Sequence, residues 1–423
     1  MSSPAGEPIA AGDPRIELGR IPAWPACGDR DVLHREIWGR WKAIHHYLTS
    51  FELDNAGPEF VLSYVNDALP RFLHTLDFLP LSERPLKTLE FGANPYLFSL
   101  LLKRLTNYEL HFTNFTGASI FDTTVDRGSQ EIASRSYGER HRFEYTSFNL
   151  ELSEPPYPEG SFDVIVFGEI LEHLDIDPLG IFPKLHDLLK PGGVLILTTP
   201  NAVRLINVAY MLAGANFFDR YHPETGIYGR HNREFTAPEL ARLLPDAGFV
   251  NVQVTTIDRY DYDNIPILKD NYEEPGRIFY TRADLDRILD AVGADTSERG
   301  DNIYVFAERS GGGGASAAAG HREWVRRHIA NAKRARRSAA EAASRPQERS
   351  PASDSRVAAL EDERRELLAR VEALQETLEA TTREMAGRYD RLSADLDAIR
   401  NSTIWRATAP LRRALDAMKR LGR

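Results

Sequence analysis

Two carboxylates and two imidazoles are placed where they could act together on one reacting group. Glu169, Glu172 and His173 are spaced i, i+3 and i+4, which would put them on one face of a helix turn. They follow an apolar run, 163–168, that is typical of a buried strand, and His231 lies on a later loop that could fold over the same edge. Because imidazole titrates near neutral pH, such a group could remove the proton of a hydroxyl.

The same four side chains could also hold a metal ion. Carboxylate and imidazole ligands without sulfur suit a hard or borderline ion, so Mg²⁺ or Mn²⁺ is the expected metal for Glu169, Glu172, His173 and His231. Sequence spacing fixes neither distance nor coordination, so a structural hydrogen-bonding role for His173 stays open.

A second group of residues surrounds a glycine. The segment 86–95 (LKTLEFGANP) joins a short apolar run to an acidic residue, a glycine and small residues, and a helix-like pattern follows. This pattern predicts a strand that enters a tight turn at the carboxyl edge of a parallel sheet, where α/β folds bind nucleosides. Gly92 would let the backbone approach a ligand, and Glu90 could accept hydrogen bonds from its hydroxyls or ammonium.

Alternating strand and helix patterns predict the elements that position these residues. Seven runs fit strands, at 86–91, 108–113, 142–147, 163–168, 193–199, 250–257 and 302–308. Their alternation with helical patterns predicts an α/β fold with a doubly wound sheet and right-handed crossovers. A long insert, 258–300, contains a helix-like stretch from Thr281 to Val292 and could select a substrate.

Three further motifs complete a family resemblance. They are FGEILEHL at 167–174, LKPGG at 189–193 and HNREFT at 231–236. With the turn at 86–95, they resemble the class I S-adenosylmethionine-dependent methyltransferases, in particular the branch that includes quinone-biosynthesis O-methyltransferases. The resemblance covers 85–310 and implies a Rossmann-like, seven-stranded methyltransferase sheet whose last strand is antiparallel. It also implies that the helical pattern at 31–84 forms a cap over the cofactor pocket.

The resemblance implies a cofactor, S-adenosyl-L-methionine. The residues that it assigns to cofactor binding are Glu90, Gly92, Ala93, Asn94, Asn114, Asn149 and Gly168. The family ends its second strand with an acidic residue that holds the ribose, whereas this chain has Asn114, whose amide can still bond a hydroxyl.

The resemblance also bears on catalysis. Some relatives with the E-x-x-E-H pattern and a later histidine bind a divalent cation that orients and acidifies the acceptor hydroxyl. Without a metal, His173 or His231, beside Glu172, is the expected general base. Arg233 could pair with an acidic acceptor or form an ordinary salt bridge, and His222 is a weaker candidate in the same region.

Composition argues against several functional classes. The chain has 423 residues, a net charge of −10 and one cysteine, Cys27. An acidic protein is a poor binder of the phosphate backbone of nucleic acids, and one cysteine allows neither an intrachain disulfide nor a thiolate metal cage. The sequence shows neither a secretion signal nor a membrane-spanning run, so we expect a cytoplasmic protein, with peripheral contact at the inner face of the membrane left open.

The two ends of the chain differ from its centre in composition. Residues 1–30 are rich in Pro, Gly and Ala and are expected to be disordered, and 311–354 is expected to be a flexible basic linker. Heptad-like apolar positions at 355–400 predict a coiled coil and hence a homo-oligomer, with a single amphipathic helix as the alternative.

The last segment, 401–423, is predicted to form a basic amphipathic helix. Its tryptophan and arginines suit an anionic membrane surface, and docking on a partner protein such as a glycosyltransferase is nearly as well supported. The string STIWRATAPLR at 402–412 resembles a tail found in enzymes of bacterial surface-polysaccharide assembly.

The sequence therefore supports three hypotheses about the function of the protein. The leading hypothesis is an O-methyltransferase that acts on a sugar hydroxyl of a surface glycan or of its lipid- or nucleotide-linked precursor. The second keeps methyl transfer but takes a small phenolic or quinone-like acceptor. The third is a non-catalytic scaffold with a methyltransferase fold, which the missing acidic residue at Asn114 alone supports.

Overall fold

The computed structural model describes residues 13–334, except 55, 118, 120, 213, 215, 219–228, 260–280, 312–319 and 332. The chain divides into two compact units, Met1–Arg345 and Pro346–Arg423, and the described residues belong to the first unit. The predicted coiled coil and tail helix lie outside the described residues, so both stay predictions. Among the helices that are described, none has the length and apolar character needed to cross a membrane.

One mixed sheet of nine strands forms the centre of the first unit. Its strands are β1 (Glu52–Leu53), β2 (Lys87–Phe91), β3 (Glu109–Asn114), β4 (Asp126–Ser134), β5 (Glu139–Ser147), β6 (Phe162–Gly168), β7 (Leu189–Pro200), β8 (Phe249–Ile257) and β9 (Asn302–Arg309). Their order is β1-β4-β5-β3-β2-β6-β7-β9-β8. Strands β5, β3, β2, β6 and β7 are parallel, whereas β9 is antiparallel to both β7 and β8. The Rossmann-like α/β fold is confirmed, and the last strand is antiparallel as the family resemblance implies.

Two strands were missed, so the prediction of a seven-stranded sheet is wrong. Strand β4 pairs antiparallel with β5 along nine residues, and β1 pairs with β4 at the edge of the sheet. In β4 only Ile132 and Ser134 are buried, and the sequence DRGSQEIAS shows no apolar alternation. Backbone pairing with β5, rather than side-chain burial, therefore forms this strand.

Helices cover both faces of the sheet. They are α1 (Pro14–Gly19), α2 (Arg30–Gly39), α3 (Trp41–Thr49), α4 (Pro58–Phe78), α5 (Leu97–Leu105), α6 (Ile181–Leu188), α7 (Leu205–Leu212), α8 (Ala237–Asp246) and α9 (Arg282–Ala291). Residues 320–331 are also helical. The helix α9 coincides with the helix-like stretch predicted inside the long insert.

Strand β6 shows why its sequence is a continuous apolar run. Val164 and Val166 belong to the apolar core that includes side chains of α3, α4 and α5. Ile165 and Phe167 belong to the core on the other face, which includes side chains of α6 and α8. Because successive side chains point to opposite faces and both faces are covered, every position must be apolar.

The structure differs from the sequence-based expectation at the N-terminal end. Residues 13–30, which we expected to be disordered, contain α1, and Leu18 in this helix is only 1% exposed. The indole Nε1 of Trp24 donates a hydrogen bond of 2.9 Å to the carbonyl oxygen of Ser82. Apolar side chains spaced between the prolines thus anchor this segment on the core.

The expected flexible linker, 311–354, is also partly folded. Within the helix at 320–331, Trp324 and Val325 are buried, and Trp324 Nε1 donates a hydrogen bond of 2.9 Å to the carbonyl oxygen of Asp77. Trp324 and Val325 pack this helix against α4. The basic residues that suggested a linker are their neighbours in the sequence.

Candidate functional site

The carboxyl ends of the central strands meet at one edge of the sheet. Phe91 at the end of β2 pairs with Phe167 of β6, and Gly168 pairs with Thr198 of β7. Two cavities, of about 400 Å³ and about 210 Å³, open at this edge. Both cavities border Gly92, so the turn after β2 contributes to both.

The turn after β2 requires glycine. Gly92 has a φ of +58°, and a Cβ at this position would lie 3.0 Å from Cδ1 of Ile170. A side chain here would therefore be strained in the backbone and crowded in space. Ala93 and Asn94 follow Gly92 along the wall of the larger cavity, as the resemblance implies.

Glu90 lies buried at the end of β2 and lines the larger cavity. Its Oε2 accepts a hydrogen bond of 2.7 Å from the hydroxyl of Ser99. Burial raises the pKa of Glu90 to about 8, although Ser99 and the charge of Arg71 act in the opposite direction. A cationic ligand group beside Glu90 would favour its ionised form.

Asn114 and Asn149 line the smaller cavity, and the amide of each also holds local backbone. Asn114 Oδ1 accepts a hydrogen bond of 3.3 Å from the backbone nitrogen of Asn94, and its Nδ2 donates one of 2.8 Å to the hydroxyl of Tyr96. Asn149 Oδ1 accepts backbone hydrogen bonds from Glu151 and from residue 152. Both side chains are therefore at the expected place, and Asn114 links β3 to the turn after β2.

Glu172 is a fully buried carboxylate at the larger cavity. It lies in a single 3₁₀ turn, Leu171–His173, and its Oε2 accepts a hydrogen bond of 2.8 Å from Thr199. Its Oε1 has no hydrogen-bond partner among the described residues. Burial and the nearby charge of Glu169 raise the pKa of Glu172 to about 8.

The two imidazoles are oriented by acceptors behind them. His173 Nδ1 lies 2.9 Å from the carbonyl oxygen of Arg230, and His231 Nδ1 lies 2.8 Å from a carboxylate oxygen of Glu234. A carbonyl or carboxylate oxygen only accepts, so each neutral ring carries its proton on Nδ1 and its lone pair on Nε2. His173 Nε2 is 3.8 Å from Oε1 of Glu172.

Glu172, His173 and His231 form one compact group, although His231 comes from a distant loop. Their ligand atoms all lie within 4.8 Å of one another, and the two imidazole centroids are 5.0 Å apart. Asn232 fixes the loop, because its backbone nitrogen donates to the carbonyl oxygen of Glu172 and its Nδ2 donates to that of His173, each at 2.7 Å.

Glu169 lies outside this group, and its role as a metal ligand with the other three stays a prediction. Its Oε2 accepts a hydrogen bond of 2.9 Å from Nδ2 of Asn302, and the Nε of Arg71 lies 3.7 Å away. Glu169 has a φ of +54° and precedes a 3₁₀ turn instead of starting an α-helix. The spacing i, i+3 therefore does not place Glu169 and Glu172 on one face.

Of the three other candidate residues, only Gly168 is shown to line a cavity of the site. Gly168 lines the larger cavity, where an added Cβ would lie 3.2 Å from Oγ1 of Thr198. Arg233 forms an ordinary salt bridge of 2.6 Å with Glu239. His222 lies outside the described residues.

Residues 61–254 match the family described as a methyltransferase domain. This chain contains a methyltransferase domain. A probable S-adenosylmethionine-dependent methyltransferase of Mycolicibacterium smegmatis is 33% identical over 100 residues, which are 23% of this chain and 32% of that protein. A ubiquinone biosynthesis O-methyltransferase of Xanthomonas euvesicatoria pv. vesicatoria is 40% identical over 90 residues, which are 21% of this chain and 36% of that protein.

The chain thus spans about a third of the length of these curated relatives. A solved structure of a SAM-dependent methyltransferase from Archaeoglobus fulgidus aligns with 58% of this chain and 94% of its own, at 14% identity and a TM-score of 0.34. The methyltransferase domain is of class I, and the cofactor of this class is S-adenosylmethionine.

The methyltransferase domain contributes one residue to the site that no sequence motif singles out. Arg71 of α4 lines the larger cavity, and its side chain is 12% exposed. Burial opposes its charge, but the carboxylate of Glu169 and the hydroxyl of Tyr64 raise its pKa, so the guanidinium stays cationic. In the sequence Arg71 is one polar residue in an apolar helical pattern, and no motif surrounds it.

The larger cavity presents buried polar atoms that are suited to a polar ligand. Among the described residues that line it, buried atoms without a hydrogen-bond partner include Arg71 Nε, Glu169 Oε1, Glu172 Oε1, Thr198 Oγ1 and Asn302 Oδ1. An unpaired buried polar group costs roughly 1–3 kcal/mol. A bound ligand that pairs these atoms would remove that cost.

Proposed function

We propose that the protein transfers the methyl group of S-adenosylmethionine to a sugar hydroxyl during the assembly of a bacterial surface polysaccharide. The observation that carries this proposal is that the turn at Gly92 and the group Glu172, His173 and His231 border the same cavity. Methyl transfer from a sulfonium mainly requires that the donor and acceptor are held in line at near-attack distance. A shared cavity supplies that arrangement.

The two cavities suit different parts of the cofactor. The smaller one has an apolar wall, which includes Phe148, Leu150 and Ile170, and it suits the adenine ring. The methionine end would pass the Gly92 turn into the larger cavity. There Glu90 would face its ammonium and Arg71 its carboxylate, since opposite charges attract most strongly at buried positions.

The acceptor oxygen would attack the methyl carbon while the bond from that carbon to sulfur breaks. The electron pair of this bond stays on sulfur, so the neutral thioether S-adenosylhomocysteine leaves. The hydroxyl proton would pass to Nε2 of His173 or His231, whose Nδ1 positions are held by Arg230 and Glu234. Both imidazoles are thus prepared to accept a proton on the cavity side.

A divalent cation fits the same group. Glu172 Oε1 has no partner within the described part of the chain, and the oxygen and nitrogen donors of this group suit Mg²⁺ or Mn²⁺. When bound, the ion would orient and acidify the acceptor hydroxyl. Glu234 and the carbonyl of Arg230 would then orient the two imidazole ligands from behind.

The lining of the larger cavity supports a sugar acceptor. Beyond the group of Glu172, its wall includes Asp67, Arg204, Arg259 and Asp301, which offer both donors and acceptors to hydroxyl groups. Tyr64 adds an aromatic surface on which a sugar ring can stack. The tail string at 402–412, which lies outside the described residues, supports a glycan by its resemblance to polysaccharide enzymes.

A small phenolic or quinone-like acceptor is the second candidate. The similarity to a ubiquinone biosynthesis O-methyltransferase favours it, although the matched segment is 36% of that protein. Phe72 and Phe98, which also line the larger cavity, could contact an aromatic acceptor. The scaffold hypothesis has less support, because a scaffold has no need for unpaired polar atoms in a cavity.

Turnover of variants tests the catalytic group. We expect Glu172→Gln and His173→Gln to lower the rate of labelled-methyl transfer by about 10²- to 10⁴-fold, the usual contribution of general acid–base groups. Calorimetric affinity for S-adenosylmethionine should change little. His111→Gln, a histidine of β3 outside both cavities, serves as the matched control and should keep the wild-type rate. Near-normal rates in both Glu172→Gln and His173→Gln would show that these two side chains do not take part in the chemical step.

The acceptor class is tested in the same assay. Purified surface glycan and a panel of small phenols are offered with labelled S-adenosylmethionine, with and without EDTA. Transfer to the glycan supports the proposal, whereas transfer only to phenols would contradict it and favour the second candidate. Loss of transfer in EDTA, restored by Mg²⁺ or Mn²⁺, would show that the cation is required.

A further inference from the structure

A second group of metal-binding side chains lies outside the catalytic cavities. It comprises His34 of α2, Asp77 of α4 and His328 of the helix at 320–331. Their ligand atoms all lie within 4.8 Å of one another, and none of the three lines either cavity of the catalytic site. We name this group the cap cluster.

The cap cluster contains a buried nitrogen with no partner. His328 Nε2 makes no hydrogen bond within the described part of the chain, and it lies 3.7 Å from Oδ2 of Asp77. The side chains of His328 and Asp77 are 14% and 4% exposed, respectively. A buried imidazole nitrogen without a hydrogen-bond partner, beside a carboxylate and a second imidazole, is placed to coordinate a metal ion.

The carboxylate of the cap cluster is held in place by neighbouring groups. Trp38 Nε1 donates a hydrogen bond of 2.9 Å to Oδ2 of Asp77. Trp324 Nε1 donates one of 2.9 Å to the carbonyl oxygen of the same residue. The bond from Trp38 is of the kind that orients a ligating carboxylate from outside the coordination shell, and the bond from Trp324 fixes the backbone of Asp77.

We propose that the cap cluster binds a divalent transition metal of the zinc type through His34, Asp77 and His328. Two imidazoles and one carboxylate are a common donor set for zinc, with water in the remaining position. At present His34 Nδ1 lies 2.6 Å from Oδ1 of Asp77, which is a hydrogen-bond distance. Zinc ligands lie roughly 3.3 Å apart, so the ion would take the place of the shared proton and these two side chains would separate slightly.

Metal binding requires a change of tautomer at His34. The Nδ1 proton of the neutral ring is exchanged through solvent for one on Nε2, so that Nδ1 has the lone pair that bonds the ion. A carboxylate oxygen of Asp77 and Nε2 of His328 complete the protein ligands. The guanidinium of Arg30, which donates to the carbonyl oxygens of Asp77 and Leu79, opposes a cation here by its charge. The free energy gained by coordination to three protein ligands must exceed the electrostatic repulsion between Arg30 and the ion.

A metal in the cap cluster would join three helices. The ligands come from α2, α4 and the helix at 320–331, which leads toward the C-terminal end of the first unit. The ion would thus fasten this last helix to the cap. The role is structural and independent of the proposed methyl transfer.

Zinc titration of the full-length protein tests the cap cluster. Because the catalytic group could also bind zinc, the titration uses a His173→Gln/His231→Gln background, in which that group keeps only Glu172. Chelator-treated protein is titrated with ZnCl₂ in a calorimeter, in two buffers that differ in ionisation enthalpy. We expect one zinc ion per chain, with similar heats in the two buffers, because a change of tautomer in a neutral imidazole releases no net proton.

Added substitutions locate the binding site. In this background, His34→Gln should weaken zinc binding at least tenfold, and His34→Gln together with His328→Gln should abolish it. His46→Gln is the matched control, since His46 is an exposed cap histidine of α3 that contacts Tyr137 instead. It should bind zinc as the background protein does.

Two outcomes would overturn the cap cluster as a metal site. One is the absence of zinc binding in the His173→Gln/His231→Gln protein. The other is unchanged affinity after His34→Gln. If the double cap variant fails to fold by circular dichroism, the single His34→Gln variant decides, because His34 is partly exposed and Gln can still donate to Asp77.

Discussion

At the scale of single residues, Glu172 makes the site testable without any substrate. It is fully buried, and one of its oxygens has no partner among the described residues. Burial and the charge of Glu169 raise its pKa to about 8, so the folded protein binds a proton here that the unfolded chain loses near its ordinary value of 4.5. The contribution of Glu172 to the free energy of unfolding is therefore fully present below pH 4.5 and is lost as the pH rises through 8.

Glu172→Gln should remove this pH dependence. Below about pH 4.5 the variant and the wild type should unfold with similar free energies, since both are neutral at this position. Toward pH 8.5 the metal-free variant should become the more stable, by on the order of a few kcal/mol, because it does not carry a buried charge. Denaturant unfolding at several pH values in EDTA measures this difference. A constant difference across the range would contradict the buried, protonated state.

The residues of the site were predictable to different degrees. His173, His231 and Glu172 could be found from residue type and motif, since these polar side chains follow a buried strand or begin a motif that precedes a helix. The separation of Glu169 could not, because it depends on one left-handed backbone angle at the end of β6. Arg71 could not either, since only the tertiary packing of α4 brings it to the cavity.

At the scale of elements, Asn114 connects the end of β3 to the turn after β2, which we propose to hold the cofactor. It accepts from the backbone of Asn94 and donates to the hydroxyl of Tyr96. Asn114→Ala removes both hydrogen bonds and should weaken S-adenosylmethionine binding about tenfold, since each such bond contributes roughly 1 kcal/mol.

Asn114→Asp is the informative companion variant. A carboxylate can still accept from Asn94 and can accept from the hydroxyl of Tyr96, and it restores the acidic residue that the family resemblance implies at this position. Calorimetry should therefore give an affinity at least equal to that of the wild type. A loss for Asn114→Asp as large as that for Asn114→Ala would contradict this role of the side chain.

The elements themselves were predictable where burial determines their sequence. Strand β6 lies between two apolar cores, so its sequence is apolar throughout and its position was evident. Strand β4 lies near the edge of the sheet and buries only two residues. Its sequence is therefore mostly polar and lacks the apolar alternation from which a strand is predicted. The helix α1 and the helix at 320–331 were not predicted, because each has only a few apolar residues. The Pro, Gly and Arg residues around them are typical of disordered or linker sequence.

At the scale of the whole molecule, the chain is organised as two compact units with a boundary at Arg345 and Pro346. The sheet, both cavities and the proposed catalytic group of Glu172, His173 and His231 all lie in the first unit. Full methyltransferase chemistry on a soluble acceptor should therefore not require residues 346–423.

Truncation tests this division. We expect residues 1–345 to fold and to bind S-adenosylmethionine within about threefold of the full-length affinity, since no described contact of the site is removed. If 355–400 forms the predicted coiled coil, light scattering should show a smaller oligomer for the truncated protein. An unchanged oligomer would contradict the coiled-coil prediction, and lost cofactor binding would contradict a self-sufficient first unit.

The most direct test is a calorimetric titration of the full-length protein with S-adenosylmethionine, together with its Gly92→Val variant. We expect the wild type to bind with a dissociation constant of roughly micromolar order. Valine at position 92 would meet Ile170 and be strained at a φ of +58°, so the variant should bind at least tenfold more weakly while remaining folded by circular dichroism. No heat at millimolar cofactor, or equal binding by the folded variant, would show that the Gly92 turn does not hold the cofactor.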